Sequence, residues 1–457
     1  MKQIFLLTLS IIVLNSCSIY RNYSRPEDLP TDSLYRDMTC NEHSIDTLSL
    51  GDLPWQAIFK DSILQEMIRY GLANNTDMQV ALLRVEQAQA QLKAARLAFL
   101  PSLTLSPNGT LSHQADNGTS KTYELPVQAS WEVDLFGNLR NAKKETQASL
   151  LQQEAYKQVV QSELIATIAN DYYTLLMLDE QITISQSTLS IWKEQIRTME
   201  ILFKTGEETE NALTQNRSSL YELEATHNDL LRQQREAENA LCTVLGIPSQ
   251  NIQRGILAEQ YVPDTLTVGI PVRLLSKRPD VVQAEMELAA AYYSTNQARS
   301  AFYPNLTLSG SAGWTNALGE IVTNPGNWIL SAIGSLTQPI FNRGRLVSNL
   351  RVSKAEEEIA RLNYKQALLE AGQEVNDALY ATESSRKSLS FHQLQCKELE
   401  RTVTTSERLY LTGNATYLEV LTARQTLLTA QLNVVTDRFT QLQSVINLYK
   451  ALGGGSQ

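Results

Sequence analysis

Two stretches of the chain alternate between apolar or small residues and polar ones, which is the pattern of a β-strand with two different faces. The stretches cover residues 123–133 and 306–314. Less regular partners lie around residues 103–112 and 328–338, so the pattern predicts four strands in two hairpins. Pro126 is expected to weaken its strand or to mark a bulge, because proline lacks the amide hydrogen that a sheet uses.

Most of the remaining chain has the longer period of α-helices. Two patterns without proline run from about residue 138 to 203 and from about 344 to 410. At 1.5 Å per residue each helix would be roughly 100 Å long. Shorter helices are predicted over about 76–98, 207–245, 279–301 and 414–452. In each half the two shorter helices together match the long one in length, so they can stack end to end beside it, which predicts a rod.

The sequence also contains an internal repeat. Residues 96–106 match residues 299–309 at an offset of 203, and both segments contain an Ala-Phe dipeptide followed two residues later by proline. Later matches keep the same order while the offset drifts to 208. Such an ordered series predicts an internal duplication, and repeats of this kind decide the fold class before any single element does.

The N-terminus has the pattern of a secretory signal. Lys2 precedes an apolar run over residues 4–14, and Ser16 precedes Cys17. The run is too short to span a bilayer and lacks the period of a buried helix. The residues before Cys17 resemble a bacterial lipobox, which implies cleavage before Cys17 and acylation of this cysteine. More than one acyl chain would make the membrane anchor durable.

These observations predict the domain organisation. The predicted segments are a signal peptide (1–16), a lipidated N-terminal and equatorial segment (17–75), repeat 1 (76–245), an equatorial linker (246–278), repeat 2 (279–452) and a tail (453–457).

Charge and composition exclude several classes of function. The 457-residue chain has 39 Lys and Arg against 49 Asp and Glu, a formal charge of −10, whereas a nucleic-acid partner needs a basic face. Beyond the N-terminus no run approaches the roughly 18 apolar residues of a membrane helix. The four histidines are scattered, and phosphate-binding and nucleophile motifs are missing from the sequence. We therefore expect no enzyme, no metal site and no cofactor other than the lipid on Cys17.

Four strands per chain are too few to close a membrane barrel. Open strand edges are not tolerated in lipid, and the smallest membrane barrels have about eight strands. Each predicted strand has about 10–12 residues, enough to cross a bilayer when tilted. Several copies must therefore share one barrel. Two copies would give a filled eight-stranded barrel, and three would give twelve strands and room for a pore.

Five motifs resemble those of outer-membrane efflux proteins of the TolC and OprM type, specifically the lipoprotein branch. They are Lys277-Arg278-Pro279-Asp280-Val281, Ala301-Phe302-Tyr303-Pro304, Trp131-Glu132-Val133-Asp134-Leu135-Phe136-Gly137, Gln338-Pro339-Ile340-Phe341 and Tyr417-Leu418-Glu419-Val420-Leu421. The resemblance covers nearly the whole mature chain.

The resemblance implies a mainly α-helical chain whose long hairpins form an α-barrel in the periplasm. It further implies a homotrimer in which four strands per chain complete a 12-stranded transmembrane β-barrel in the outer membrane. Such a trimer is the exit channel for a periplasmic adaptor (a membrane fusion protein) and an inner-membrane RND-type pump, and it conducts small molecules passively.

The turns between helices are the candidate adaptor contacts. In the family these turns meet the adaptor's hairpins, and the matching residues here are Lys204, Thr205, Gly206, Leu411, Thr412 and Gly413. Each glycine also has an ordinary structural reading as the C-cap of a helix, and the two roles are compatible.

The candidate constriction follows the second turn. Family members place one acid here and often a second three residues later, and this chain has Glu419 and then Thr422. A trimer would form one ring of three Glu419 carboxylates that favours cations, with Tyr410 nearby as a hydrogen-bonding partner. The alternative for Glu419 is an ordinary solvated surface residue, and Thr422 in the second position argues against a double-ring cation filter.

Two other functions remain as alternatives. The chain could be the outer component of a type I protein-secretion system, although the lipobox and the Arg278-Pro279-Asp280 motif resemble the drug and metal efflux branch more. It could also be a structural lipoprotein that spaces the envelope layers. The spacer predicts neither membrane-inserted strands nor conductance.

Overall fold

The computed structural model describes residues 20–27, 29, 34, 49–114, 118–261, 277–315 and 327–456. Its helices are α1 (Trp55–Ile58), α2 (Ser62–Asn74), α3 (Thr76–Leu97), α4 (Asn138–Thr205), α5 (Glu210–Leu245), α6 (Pro279–Ser300), α7 (Arg345–Leu411) and α8 (Tyr417–Ala451). Its strands are β1 (Ser102–Leu105), β2 (Asn108–Gln114), β3 (Gly118–Val133), β4 (Asn305–Thr315) and β5 (Asn327–Thr337). Two single 3₁₀ turns lie at Leu50–Asp52 and Leu257–Glu259. The predicted signal peptide and Cys17 lie outside the described residues, as do parts of the predicted linker and strand loops.

The same elements occur twice in the same order. The helices α3 and α6 have 22 residues each, α4 and α7 have 68 and 67, and α5 and α8 have 36 and 35. The helix α6 begins at a proline, which fits the first helical position because the amide there has no partner within the helix. The predicted mainly helical chain with a few antiparallel strands is confirmed.

All strands belong to one antiparallel sheet with the order β1-β3-β4-β5, in which β2 also pairs with β3. Since β1 and β2 follow each other along the same side of β3, the sheet has four rows. Register is unbroken across them, with Leu105 opposite Val127 and Asn108 opposite Glu124.

The bulge expected at Pro126 is not formed. The strand β3 runs straight through Pro126, and the weak point lies in the facing strand, which is interrupted between β1 and β2. The amide of Ser106 still donates to the Pro126 carbonyl at 3.2 Å. On its other side Pro126 faces Gly313, where a Cβ would lie 2.6 Å from the Pro126 Cα, so glycine permits this close approach.

The chain divides into two compact units, each drawing on both halves of the sequence. The first comprises residues up to 29 together with 83–154 and 283–366, and it contains the sheet. The second comprises residues 30–82, 155–282 and 367–457. Its largest core packs Phe59, Ile68, Tyr172 and Leu448, all nearly or fully buried.

Buried charge explains the Arg278-Pro279-Asp280 motif within the second unit. The Arg278 guanidinium is 5% exposed and donates to the Asp280 carboxylate at 3.0 and 2.5 Å. It also donates to Glu374 at 2.7 Å and to the Ala451 carbonyl at 2.9 Å. One side chain thus ties the start of α6 to α7 and to the end of α8, and its charge is compensated as a buried charge must be.

Candidate functional site

The long helices end in two short turns of the same construction. Tip 1 (residues 204–209) joins α4 to α5, and tip 2 (residues 411–416) joins α7 to α8. Gly206 and Gly413 have φ of +78° and +73°, the left-handed conformation that glycine adopts without steric cost. The next amides, those of Glu207 and Asn414, each donate at 2.9 Å to the carbonyl five residues earlier. This is the Schellman C-cap, so each tip is a well-defined turn.

The predicted adaptor-contact side chains all lie at the surface of these turns. Lys204, Thr205, Leu411 and Thr412 are exposed, and Leu411 reaches 82%. The hydroxyls of Thr205 and Thr412 bond to carbonyls of their own helices at 3.0 Å. Of these four predicted side chains, Lys204 and Leu411 are the two without such a hydroxyl, so they contribute an exposed cation on tip 1 and an exposed leucine on tip 2.

The helix after each tip is capped by a threonine. In tip 1 the Thr209 hydroxyl accepts from the Ala212 amide at 3.2 Å. In tip 2 the Glu419 carboxylate accepts from the Thr416 hydroxyl and amide at 3.1 and 3.3 Å, the reciprocal half of a capping box. Glu419 is nevertheless exposed, and exposed Thr422 follows three residues later on the same helical face.

Tyr410 bonds to a different partner from the one we expected. Its hydroxyl donates to the Glu208 carboxylate in tip 1, whereas the Glu419 carboxylate is turned toward the cap of its own helix. Burial and this hydrogen bond raise the pKa of the Tyr410 hydroxyl far above its usual range. Tyr410 and Glu208 thus form a link, the tip-to-tip bond, between the two halves of the chain.

A small hydrophobic core holds the helices together behind the tips. Its buried residues are Leu189, Trp192, Ile196, Met199, Leu213, Leu223, Tyr417 and Leu421. At its centre the fully buried Asn216 accepts from the Trp192 indole at 3.1 Å and from the Tyr417 hydroxyl at 3.3 Å. The ring of Tyr410 packs edge-on against Tyr417 with centroids 5.4 Å apart, which connects the tip-to-tip bond to this core.

A groove of about 580 Å³ opens beside the tip-to-tip bond. Its lining includes Met199, Leu202, Glu407, Tyr410, Leu411 and Tyr417. It is mainly apolar, and the Glu407 carboxylate is neutralised by the Arg424 guanidinium. A groove of this kind suits the apolar face of a partner helix.

Sequence reasoning missed the partners Glu208, Glu407 and Arg424. Glu208 is one of several neighbouring acids after Gly206, with nothing in the sequence to single it out, and the Arg424–Glu407 pair joins residues 17 positions apart on different helices. Arg424 in the middle of the apolar pattern of α8 was the available signal, since a cation there needs a counter-ion.

The described residues include no group of three or more His, Cys, Asp or Glu side chains placed to hold a metal ion. Cys242 and Cys396 are both free thiols. None of the described helices has the length and hydrophobicity needed to cross a bilayer.

Comparison with known proteins identifies relatives in sequence and in fold. The family model for outer membrane efflux proteins matches residues 68–247 and 270–454. The probable outer membrane lipoprotein SilC of Salmonella typhimurium is 29% identical over 469 residues, covering 100% of this chain and 99% of SilC. The cation efflux system protein CusC of Escherichia coli K12 is 28% identical over 450 residues, covering 97% of each chain.

Solved structures of outer membrane channels have the same fold as this chain. A crystal structure of CusC has a TM-score of 0.83 at 26% identity, covering 96% of this chain and 100% of that one. The open state of the Neisseria gonorrhoeae MtrE outer membrane channel has a TM-score of 0.84 at 25% identity, covering 96% and 99%.

Proposed function

Because the chain belongs to the outer membrane efflux protein family, we propose that three copies assemble into one channel through which an efflux pump discharges its substrates. The outer membrane location and the role in efflux follow from the family itself. The number of copies, the partners, the contact residues and the lipid anchor are the proposed parts, and each has its own support.

The open sheet is the observation that carries the proposal. Among the described strands β5 pairs only with β4, and its apolar side chains are widely exposed, from 64% at Ile333 to 85% at Leu330. On the opposite edge Leu103 is 73% exposed. An edge of this kind needs another strand, and three sheets of four rows joined edge to edge give twelve strands.

The helices supply a second argument for assembly. In the first unit α7 exposes Val352, Ile359 and Leu362, and in the second unit it exposes Leu369 and Tyr380. Val352, Ile359 and Tyr380 are separated by multiples of seven residues, the spacing by which helices pack against each other. Apolar side chains in this pattern favour a neighbouring copy over contact with water.

A covalent lipid on Cys17 is the proposed membrane anchor. The signal-like N-terminus and the lipobox resemblance support it. The tips would then face a periplasmic adaptor and, through it, an inner-membrane RND-type pump. Lys204, Thr205, Gly206, Leu411, Thr412 and Gly413 are the proposed contacts, and the apolar groove next to them supports docking of adaptor hairpins.

Glu419 is the proposed charged constriction, with Thr422 on the same face one turn on. Its support is its exposure at the start of α8, within two turns of tip 2. The tip-to-tip bond between Tyr410 and Glu208 is the proposed element that holds the channel end closed, since the two tips cannot separate without breaking it.

The alternatives are a secretion channel and a lipoprotein spacer. Purification of the acylated chain in detergent, mass determination by light scattering and conductance recording in planar bilayers test the proposal. We expect a trimer with discrete, mainly closed channel events. A monomer or dimer without conductance would contradict the shared barrel and favour the spacer. A channel that passes an unfolded polypeptide but no small organic compound or metal ion would favour the secretion role.

A further inference from the structure

The first described residues of the chain form an extended segment, the N-terminal strap (residues 20–27), within the first unit. Three hydrogen bonds and one ion pair attach it to the helices. The Arg21 carbonyl accepts from the Tyr292 hydroxyl at 3.0 Å, and the Tyr23 amide donates to the Tyr293 hydroxyl at 3.3 Å. Lys144 on α4 donates to the Asn22 amide oxygen at 2.5 Å. The strap is thus fastened to two helices, α6 and α4.

The strongest attachment is a two-pronged ion pair. The Arg25 guanidinium donates to both oxygens of the Glu285 carboxylate, at 2.9 and 2.6 Å. The Glu285 side chain is only 8% exposed, and the fully buried Tyr364 lies beside it. A buried carboxylate is costly without a counter-charge, and paired donors in this geometry fix position as well as charge. Among the described residues Arg25 is the cation that Glu285 binds.

The side chains that bind the strap on α6 have no counterparts on α3, the matching helix of the first repeat. At the offset of 203 the positions of Glu285, Tyr292 and Tyr293 correspond to Leu82, Gln89 and Ala90 on α3. The helices α3 and α6 have the same length and the same place in their repeats, yet α6 alone carries the acid and the two tyrosines. The three side chains that differ are those that bind the N-terminal strap.

The first residue of the strap lies beside the connection between β3 and α4. Tyr20 lies against Gly137, whose Cβ position would be 3.8 Å from the Tyr20 ring. Gly137 connects β3 to α4, so Tyr20 sits where the sheet meets the helices. Cys17 is three positions before Tyr20 in the sequence, and three Cα–Cα steps of extended chain reach at most about 11 Å.

We propose that Arg25 and Glu285 are positioning residues that hold the acylated Cys17 at the base of the strand sheet, so that the lipid enters the bilayer beside the strands. This inference rests on the proposed acylation of Cys17. The lipid anchor and the sheet must insert into the same membrane. The ion pair keeps the anchor close to the connection between β3 and α4, where the sheet meets the helices. With the ion pair broken, the lipid remains attached but its position relative to the sheet is no longer set.

The first test measures the strap itself in the full-length acylated protein. Glu285→Gln keeps the shape of the side chain and removes its charge. We expect amide hydrogen exchange over residues 20–27 to accelerate by at least about tenfold. The double exchange Arg25→Glu with Glu285→Arg should restore protection. Arg21→Gln, in the same strap but without a side-chain bond to α6, is the matched control. Unchanged exchange in Glu285→Gln would overturn the proposal.

The second test separates positioning from simple stability. A flexible Gly/Ser insertion of about 12 residues between Ser18 and Ile19 frees the anchor from the strap without touching the ion pair. We expect Glu285→Gln and the insertion each to lower the fraction of acylated chain that is embedded in the membrane and resists urea extraction. The combined variant should be no worse than either alone. An additive loss would mean that the ion pair serves only folding, and would overturn the positioning role.

The tests also distinguish a failure of the positioning role from a failure of the proposed acylation of Cys17. A wild-type chain that takes up no palmitate label would refute the anchor on Cys17 and the positioning role together. A labelled wild-type chain whose embedding is unaffected by Glu285→Gln would refute the positioning role alone.

Discussion

At the scale of single residues, the tip-to-tip bond joins side chains 202 positions apart in the sequence. Tyr410 was expected near the constriction, and the structure places it in the last turn of α7, where it faces tip 1. Its partner could not be predicted, because tip 1 offers Glu207, Glu208 and Glu210 in a short stretch and only the turn geometry decides which carboxylate faces α7. The Schellman turn at Gly206 directs Glu208 inward, where it is half-buried.

Tyr410→Phe is expected to favour the open channel. The ring keeps its packing against Tyr417, and only the hydrogen bond to Glu208 is lost, a change of about 1 kcal/mol per chain. If opening breaks this bond, the open probability should rise by about fivefold or more in planar bilayers. Tyr221→Phe, an exposed tyrosine on α5, provides the control. Equal open probabilities in the two variants would rule out a gating role for the bond.

Glu419→Gln should reduce the preference of the channel for cations over anions. Glutamine can replace glutamate in the capping box, so the start of α8 is preserved while three charges leave the trimer. The reversal potential under a salt gradient measures the effect, and Glu222→Gln, exposed on α5, is the control. A reversal potential that does not move would identify Glu419 as a helix-capping residue only.

At the scale of elements, the two tips show how much of the architecture is local. Their glycines and the approximate lengths of the flanking helices could be read from sequence, since a glycine turn between two helical patterns is a local signal. The predicted helices after the tips began three residues too early, at 207 and 414, because Thr209 and Thr416 take the N-cap position. The straight course of β3 through Pro126 was missed since it depends on Gly313 in the neighbouring strand.

Gly413→Ala tests whether the tip turn itself matters for docking. Space around the glycine is open, so the cost comes from the positive φ alone and is expected to be about 1 kcal/mol. Hydrogen exchange at tip 2 should accelerate and adaptor binding should weaken, both measured on the full-length protein. Gly413→Asn should behave nearly as wild type because asparagine tolerates this conformation. Equal defects in the two variants would instead indicate that the partner requires the bare glycine surface.

At the scale of the whole molecule, sequence patterns predicted the number of strand rows. The proposal of further copies comes from the same count, because four rows leave open sheet edges. The sequence patterns did not indicate which helical surface would meet a neighbour in the proposed trimer. Apolar residues on α7 looked the same in sequence whether they faced their own chain or another. The exposure of each side chain distinguishes the two groups. Tyr364 and Leu368 are buried inside the chain, whereas Ile359 and Leu362 are 56% and 52% exposed.

Ile359→Glu combined with Leu362→Glu is therefore expected to prevent trimer formation while leaving the single chain folded. Both side chains are exposed in one copy, so the chain itself bears little cost. In an assembly the new carboxylates would be buried without counter-charges, at several kcal/mol each. Light scattering should report the mass of one chain, with unchanged helical content by circular dichroism. Glu357→Lys, which changes charge on the opposite face of α7 at 100° per residue, should still form trimers. A double variant that retains the trimer mass would show that this surface of α7 faces the lumen or the solvent, and the edges of the sheet would then have to hold the copies together.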